Sequence, residues 1–405
     1  MIKKTLILLQ VLILSTGCES FVENTSPTIT SVTDEDINDP SNIPFLIKGV
    51  LNQYSHAHGY ISLWVDGLSD ELVFDGKVQG ATSNRGEKID NGIFEPTMGT
   101  TVNPYEAIAG AWRLAHILKE KLDDMDGEED VEMEGYYTAY LYQGLPCFLL
   151  GSYYGRGPNY PDDGGATLDG SPFISSADLY DMAVDYFNSA LNYADDYQAR
   201  VVHSLIARVL LYGGNFADAA VHTSQGLQNG DPPFEALCGE EVGWVNMYWN
   251  SAGNSRTSWT LGSRFKLLLG EDFEDDNGNG VWDSTETFID CALPGADAGA
   301  GDGVYSGPTE PEEIVRLSMA AGSMTPGTDY VRYYQIKYPD SDSPLLIIDW
   351  QENHLMLAEL ALRGETTGES ALGAVNGVRA SHGLNPLDNV DFSVLLHERD
   401  KELFC

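Results

Sequence analysis

Apolar residues recur at helical spacing through most of this chain. After the cap-like Asp39-Pro40-Ser41, Phe45, Leu46, Val50, Leu51 and Tyr54 fall on one face of a predicted helix. Tyr105, Ile108, Trp112, Ala115, Leu118 and Leu122 do the same over 105–126. The stretch 131–153 is rich in Tyr and Leu, with little charge after Glu134, and predicts a helix at the centre of the core. Further helices are expected at 177–195, 198–213 and 216–229, then at 347–363, 368–382 and 391–404. In the 198–213 helix, Val202, Leu205, Ile206, Val209 and Leu210 form a continuous apolar stripe. Two stretches break the pattern. Residues 59–103 mix Gly, Asn and Asp and read as loops with a short strand or two. Residues 230–345 are too long for a simple loop and read as an inserted subdomain.

The predicted class is therefore all-α or mainly α. Gly214-Asn215-Phe216-Ala217-Asp218-Ala219 has the Gly-x-aromatic-x-x-Ala turn of a tetratricopeptide repeat. There Gly allows the tight turn, and Ala lets antiparallel helices approach. Tyr180-Asp181-Met182-Ala183 and the Gly364 to Ala371 stretch are looser echoes. The period is irregular, so an α–α superhelix or bundle of tetratricopeptide-like pairs is expected rather than a regular solenoid.

The N-terminus reads as an address. Lys3 and Lys4 precede an apolar run from Leu6 to Leu14. At about nine residues that run is too short to span a bilayer. Ser15-Thr16-Gly17 then leads into Cys18, which resembles a bacterial lipobox, with Ser15 where Leu is usual and Leu14 one step earlier. Residues 1–17 are expected to be a lipoprotein signal peptide, Cys18 the lipidated residue, and 18–40 a polar tether that holds the domain to a membrane by acyl chains.

Charge narrows the partners. The 405 residues include 22 Lys+Arg and 62 Asp+Glu, a formal charge of −40. Nucleic acid would be repelled, as would an anionic membrane surface. Hydrophobic residues make up 42%, enough for a substantial core. Of the later cysteines, Cys147 sits in a predicted core helix. Cys238 and Cys291 lie in loop-rich sequence, where pairing outside the cytoplasm is open. No Cys/His spacing suits zinc.

Two constellations carry candidate chemistry. Asp275 to Glu286 matches a twelve-residue calcium loop. Asp275, Asn277 and Asn279 would offer side-chain oxygens, Gly280 the sharp turn and Val281 its carbonyl. Asp283 would ligate directly or through water, and Glu286 would close the site with two oxygens. A structural Ca2+ pinning the insert is expected. The second constellation is aromatic. Sugar rings lay apolar C–H faces on Trp and Tyr, while their hydroxyls bond to Asp, Asn and Arg. Trp244, Tyr248, Trp249 and Trp259, with Arg256, cluster in the insert; Trp64, Asp70 and Arg85 lie in the early segments. Tyr136, Tyr137, Tyr140 and Tyr142 read instead as helix packing. No Gly-x-Ser-x-Gly, His-Glu-x-x-His, phosphate loop or dinucleotide fingerprint is present, and no enzyme activity is expected.

Several landmarks together resemble the SusD/RagB family of lipoproteins. They are the lipobox Cys18, the run from Asp34 to Tyr54, Tyr153-Tyr154-Gly155-Arg156-Gly157-Pro158 and the segment from Asp169 to Leu191. Ala207-Arg208-Val209 with Gly214-Asn215-Phe216 follow, then His354 to Leu384 with Asn376, Val378 and Arg379, and last His397 to Leu403. Residues 41–229 then read as an N-terminal SusD-like helical region and 346–405 as the C-terminal one, on either side of the 230–345 insert. The charged helix ending at Cys405 has no closing Gly or cap, so the natural chain is expected to continue. The resemblance implies an outer-membrane, cell-surface nutrient-binding lipoprotein. It would capture oligosaccharides or other oligomers, on loops outside the repeat helices, and deliver them to a SusC-type TonB-dependent transporter. The rival readings are a helical-repeat scaffold that binds only protein and a calcium-dependent glycan hydrolase.

Overall fold

The computed structural model describes residues 40–75, 85–93, 99–125, 129–154, 164–239, 243–253, 258–262, 265, 273, 276–277, 282–288, 303–305, 307, 314–324 and 331–405. The signal segment, Cys18 and the tether lie outside the described residues.

A 3-10 turn at Pro40–Asn42 leads into α1 (Ile43–Leu68), which runs well past the stripe that ended at Tyr54. The cause lies in two glycines. A Cβ on Gly59 would stand 3.2 Å from Leu345, and one on Gly67 only 2.5 Å from the Trp259 ring. Neither glycine is a turn; each is a place where a distant side chain lies on the helix backbone. The chain then forms β1 (Leu72–Phe74), α2 (Arg85–Asp90), α3 (Gly99–Asp123) and α4 (Glu129–Tyr153). The 59–103 stretch is thus largely helical in its described parts, against the loops expected from its composition, while β1 is a short strand of the kind expected there. As its sequence predicts, α4 is central: Tyr137, Leu141, Tyr142, Leu145, Cys147, Phe148 and Leu150 are all buried. It packs against α1, α3 and α5.

A two-strand ribbon, β2 (Gly165–Ala166) with β3 (Ile174–Ser175), precedes α5 (Ser176–Ala190), whose first turn is capped by Ser175. A capping box of Asp195 and Gln198 starts α6 (Asp196–Tyr212). Its predicted stripe is buried at Val202, Leu205, Ile206 and Val209. Gly214, at φ +79°, makes the turn into α7 (Phe216–Thr223). This helix stops six residues before its predicted end at 229. The Ser204 hydroxyl accepts the Leu227 N–H at 2.8 Å, and Asn353 Nδ2 donates to the Thr223 and Leu227 carbonyls. These side chains take the backbone groups that another helical turn would use.

The insert joins the helices through strands. β4 (Phe234–Ala236), α8 (Met247–Ala252), β5 (Trp259–Leu261), α9 (Ile314–Leu317), β6 (Met319–Met324), β7 (Val331–Gln335) and β8 (Leu345–Ile348) follow in order. β5 pairs antiparallel with β1, Phe74 opposite Trp259 and Leu72 opposite Leu261. β4 pairs with β8, and β6 with β7. Three helices close the described chain: α10 (Trp350–Leu362), α11 (Ala371–Ser381) and α12 (Phe392–Glu402), begun by caps from Asp349, Ser370 and Asp391. The fold is mainly α with short antiparallel pairs. Among the described residues no helix is long and apolar enough to cross a membrane.

Candidate functional site

The aromatic candidates part into two groups. Trp259 is 2% exposed and wedged between Gly67, Phe74 and Trp64, with the Trp64 ring edge-on at 5.9 Å. Tyr248 is also buried; its hydroxyl donates to Asp66 Oδ2 at 2.6 Å, and burial with the neighbouring Asp66 charge holds its pKa well above the ordinary phenol value. It lines a cavity of about 190 Å3 with Tyr54, Arg208, Tyr338, Leu403 and Cys405. The Tyr248–Asp66 bond ties α1 to the insert. Trp249 is half-buried in α8, its backbone N–H bonded to Asn246 Oδ1 at 3.0 Å. Asp70 is exposed, at φ +59°, in the turn after α1. Arg85 opens α2. Arg256 lies outside the described residues.

Trp244 stands apart. It is 40% exposed, and its indole lies flat on the His56 ring of α1, centroids 3.4 Å apart and planes within 4°. Tyr60, one helical turn on, meets His56 edge-on at 4.7 Å. The backbone fixes this position: Gly239 and Trp244 exchange N–H···O bonds of 2.7 and 3.2 Å, and Asn246 is bonded to the Ser341 and Ser343 carbonyls. Burial lowers the His56 pKa to about 4, so the imidazole under the indole is neutral at pH 7. The result is an aromatic ledge held from behind, with its outer side open to solvent. A sugar ring can lie on it without first ordering the side chain. Sequence reading found Trp244 but not His56 or Tyr60. Their only signal was the i, i+4 spacing of two rings on the first helix.

The calcium-type loop is described in part. Asp275, Asn279 and Val281 lie outside the described residues; Asn277, Asp283 and Glu286 lie within them. Glu286 is buried, and its carboxylate accepts the N–H groups of Asp276 at 3.1 Å and Asp283 at 3.0 Å, so it reaches back across the loop to its start. Asn277 Nδ2 donates to Asp283 Oδ2 at 3.1 Å. Thr285 donates to the other Asp283 oxygen, which holds that carboxyl below its ordinary pKa. These oxygen donors suit a hard cation. Among the described residues, no three His, Cys, Asp or Glu side chains are grouped to hold a metal. Beside the loop, Trp282 stacks on Tyr305 at 4.5 Å and donates its indole N–H to the Glu286 carbonyl.

No protein-family model matches the sequence, and no curated protein matches it. Solved structures do. A SusD superfamily protein from Bacteroides vulgatus aligns at TM-score 0.57 and 14% identity, over 90% of this chain and 86% of that one. A SusD-like carbohydrate binding protein from the same organism aligns at 0.53 and 14%, over 90% and 81%. A laminarin binding SusD-like protein aligns at 0.53 and 16%, over 90% and 88%. The ordered helices, the strand-stitched insert and these alignments agree that this chain has the SusD-like fold.

Proposed function

We propose that this protein binds neutral glycan oligomers on the Trp244 ledge and hands them to a SusC-type TonB-dependent transporter in the outer membrane. The Trp244–His56 stack carries the reading. It is an exposed indole with its rear face already occupied, which is the arrangement a sugar ring needs and a packed core does not. A SusD-like neighbour described as laminarin binding supports the ligand class. The charge of −40 favours neutral over anionic chains. Cys18 supplies the acyl anchor at the cell surface. Asp275, Asn277, Asn279, Val281, Asp283 and Glu286 hold a structural Ca2+ that pins the insert near Trp282.

Binding is tested by titrating neutral oligosaccharides against indole fluorescence. Saturable binding to at least one is expected, and silence across β-glucans, xyloglucans, mannans and arabinans would sink the glycan reading. The partner is tested separately by mild detergent capture from native membranes. A stoichiometric large β-barrel supports transporter docking; capture of soluble proteins alone supports a scaffold.

A further inference from the structure

His203 in α6 and His222 in α7 meet across the tight turn at Gly214. Their Nδ1 atoms are 2.9 Å apart, the ring centroids 5.1 Å, and the planes 43°. Both rings are half-buried, so solvent reaches the pair. One Nδ1–H donates to the other Nδ1 in an N–H···N bond. Burial lowers both pKa values, and His222 lowers His203 further, so neither ring is charged at pH 7. Neutral imidazole is the metal-ligating form.

The donors select the class of ion. Imidazole nitrogens suit Cu2+, Ni2+ and Zn2+ over the hard cations Ca2+ and Mg2+, and Cu2+ binds such donors most tightly. The 2.9 Å separation is the hydrogen bond between the rings, and it brings both nitrogens within reach of one ion once the rings turn. Asp218, one turn before His222, adds negative charge beside that ring. The nearest turn of α6 carries Arg200, whose guanidinium is paired with Asp231 through two bonds of 2.8 Å.

We propose that His203 and His222 form a two-imidazole site for Cu2+ or Ni2+, with water in the remaining positions. The ion sits off the Nδ1···Nδ1 line, and each ring turns until its lone pair meets it. The tautomer that carried its proton on Nδ1 moves it to Nε2, so none is lost overall. Because the ligands come from two helices, occupancy clasps α6 to α7 and stabilises the pair by mass action. The site is independent of the glycan ledge, and its nitrogen donors set it apart from the oxygen-lined loop at 275–286.

The test uses the full chain without a histidine tag, titrated with CuCl2 alone. One equivalent should bind, raise the melting temperature and show hyperfine coupling to two nitrogens by electron paramagnetic resonance. His203→Asn and His222→Gln should each weaken that binding at least about ten-fold and remove the two-nitrogen signal, while Asp283→Ala leaves it unchanged. An oxygen-only spectrum in the parent protein, or equal copper binding by the parent and both folded variants, would overturn the proposal. The parent spectrum decides alone if either variant fails to fold.

Discussion

Arg316 Nη1 and Glu398 Oε2 lie 2.7 Å apart with almost none of either side chain open to water. Arg316 comes from the insert and Glu398 from α12. Arg379 and Lys401 also reach Glu398, at 2.9 and 3.2 Å, while Arg316 Nε and His382 bond to Glu402. Removing one member leaves the others charged and buried. Arg316→Ala should therefore cost about 3–5 kcal/mol, measured by urea unfolding. A loss under about 1 kcal/mol would mean that water screens the cluster.

The same cluster sets an acid limit. Burial acts to raise the Glu398 carboxyl, but Arg316, Lys401 and Arg379 outweigh it and hold it below the ordinary 4.5. A carboxyl lowered in the folded state stabilises fully above its unfolded pKa, and that stability is lost as pH falls through the folded value. The urea midpoint should fall steeply below pH 4.5. Glu398→Gln should start from a lower midpoint at pH 7 and show a shallower fall. An unchanged slope in that variant would move the acid sensitivity elsewhere.

Two glycines of α1 should respond with opposite signs. Gly49 has open space where a Cβ would sit, so Gly49→Ala should stabilise by roughly 0.5–1 kcal/mol. Gly67 has the Trp259 ring there, so Gly67→Ala should destabilise by about 1–3 kcal/mol despite better helix propensity. Thermal melts of the two variants settle the comparison. Equal shifts would mean that Trp259 can move aside freely.

That contrast also shows what the sequence could reveal. Local periodicity placed α3, α4, α5, α6 and the closing helices, because each buries a stripe that its own spacing displays. It missed the second half of α1, because Gly59 and Gly67 look like breakers until Leu345 and Trp259 are seen against them. It missed the strands of the insert, since β5 is three residues long and finds β1 across a separation no local pattern encodes. In the sequence the ligand aromatics stand out only by type and clustering. Type does not distinguish Trp259, sealed by α1, from Trp244, resting on its surface. The pairing of His203 with His222 depends on helix register and was not visible at all.

Calcium should act through Glu286. Asp283→Ala or Glu286→Ala should abolish the rise in melting temperature that calcium gives the parent protein over chelator. Trp282, bonded to the Glu286 carbonyl and stacked on Tyr305, should report the ion by a change in emission. Equal melting of the parent in calcium and in chelator contradicts the site.

Membrane attachment should depend on a single atom, the Cys18 sulfur. Cys18→Ala should shift the protein from the membrane to the soluble fraction after cell lysis, with its fold unchanged by circular dichroism. Retention in the membrane fraction would require another anchor.

Trp244 should act as a binding residue and not a packing one. Calorimetric titration of the parent and of Trp244→Ala with the best neutral oligosaccharide tests it directly. Affinity should fall by about ten- to a hundred-fold, the loss of roughly 1.5–3 kcal/mol of ring contact, while the melting temperature barely moves. Undiminished affinity in a folded Trp244→Ala would contradict the account and place the glycan elsewhere on the molecule.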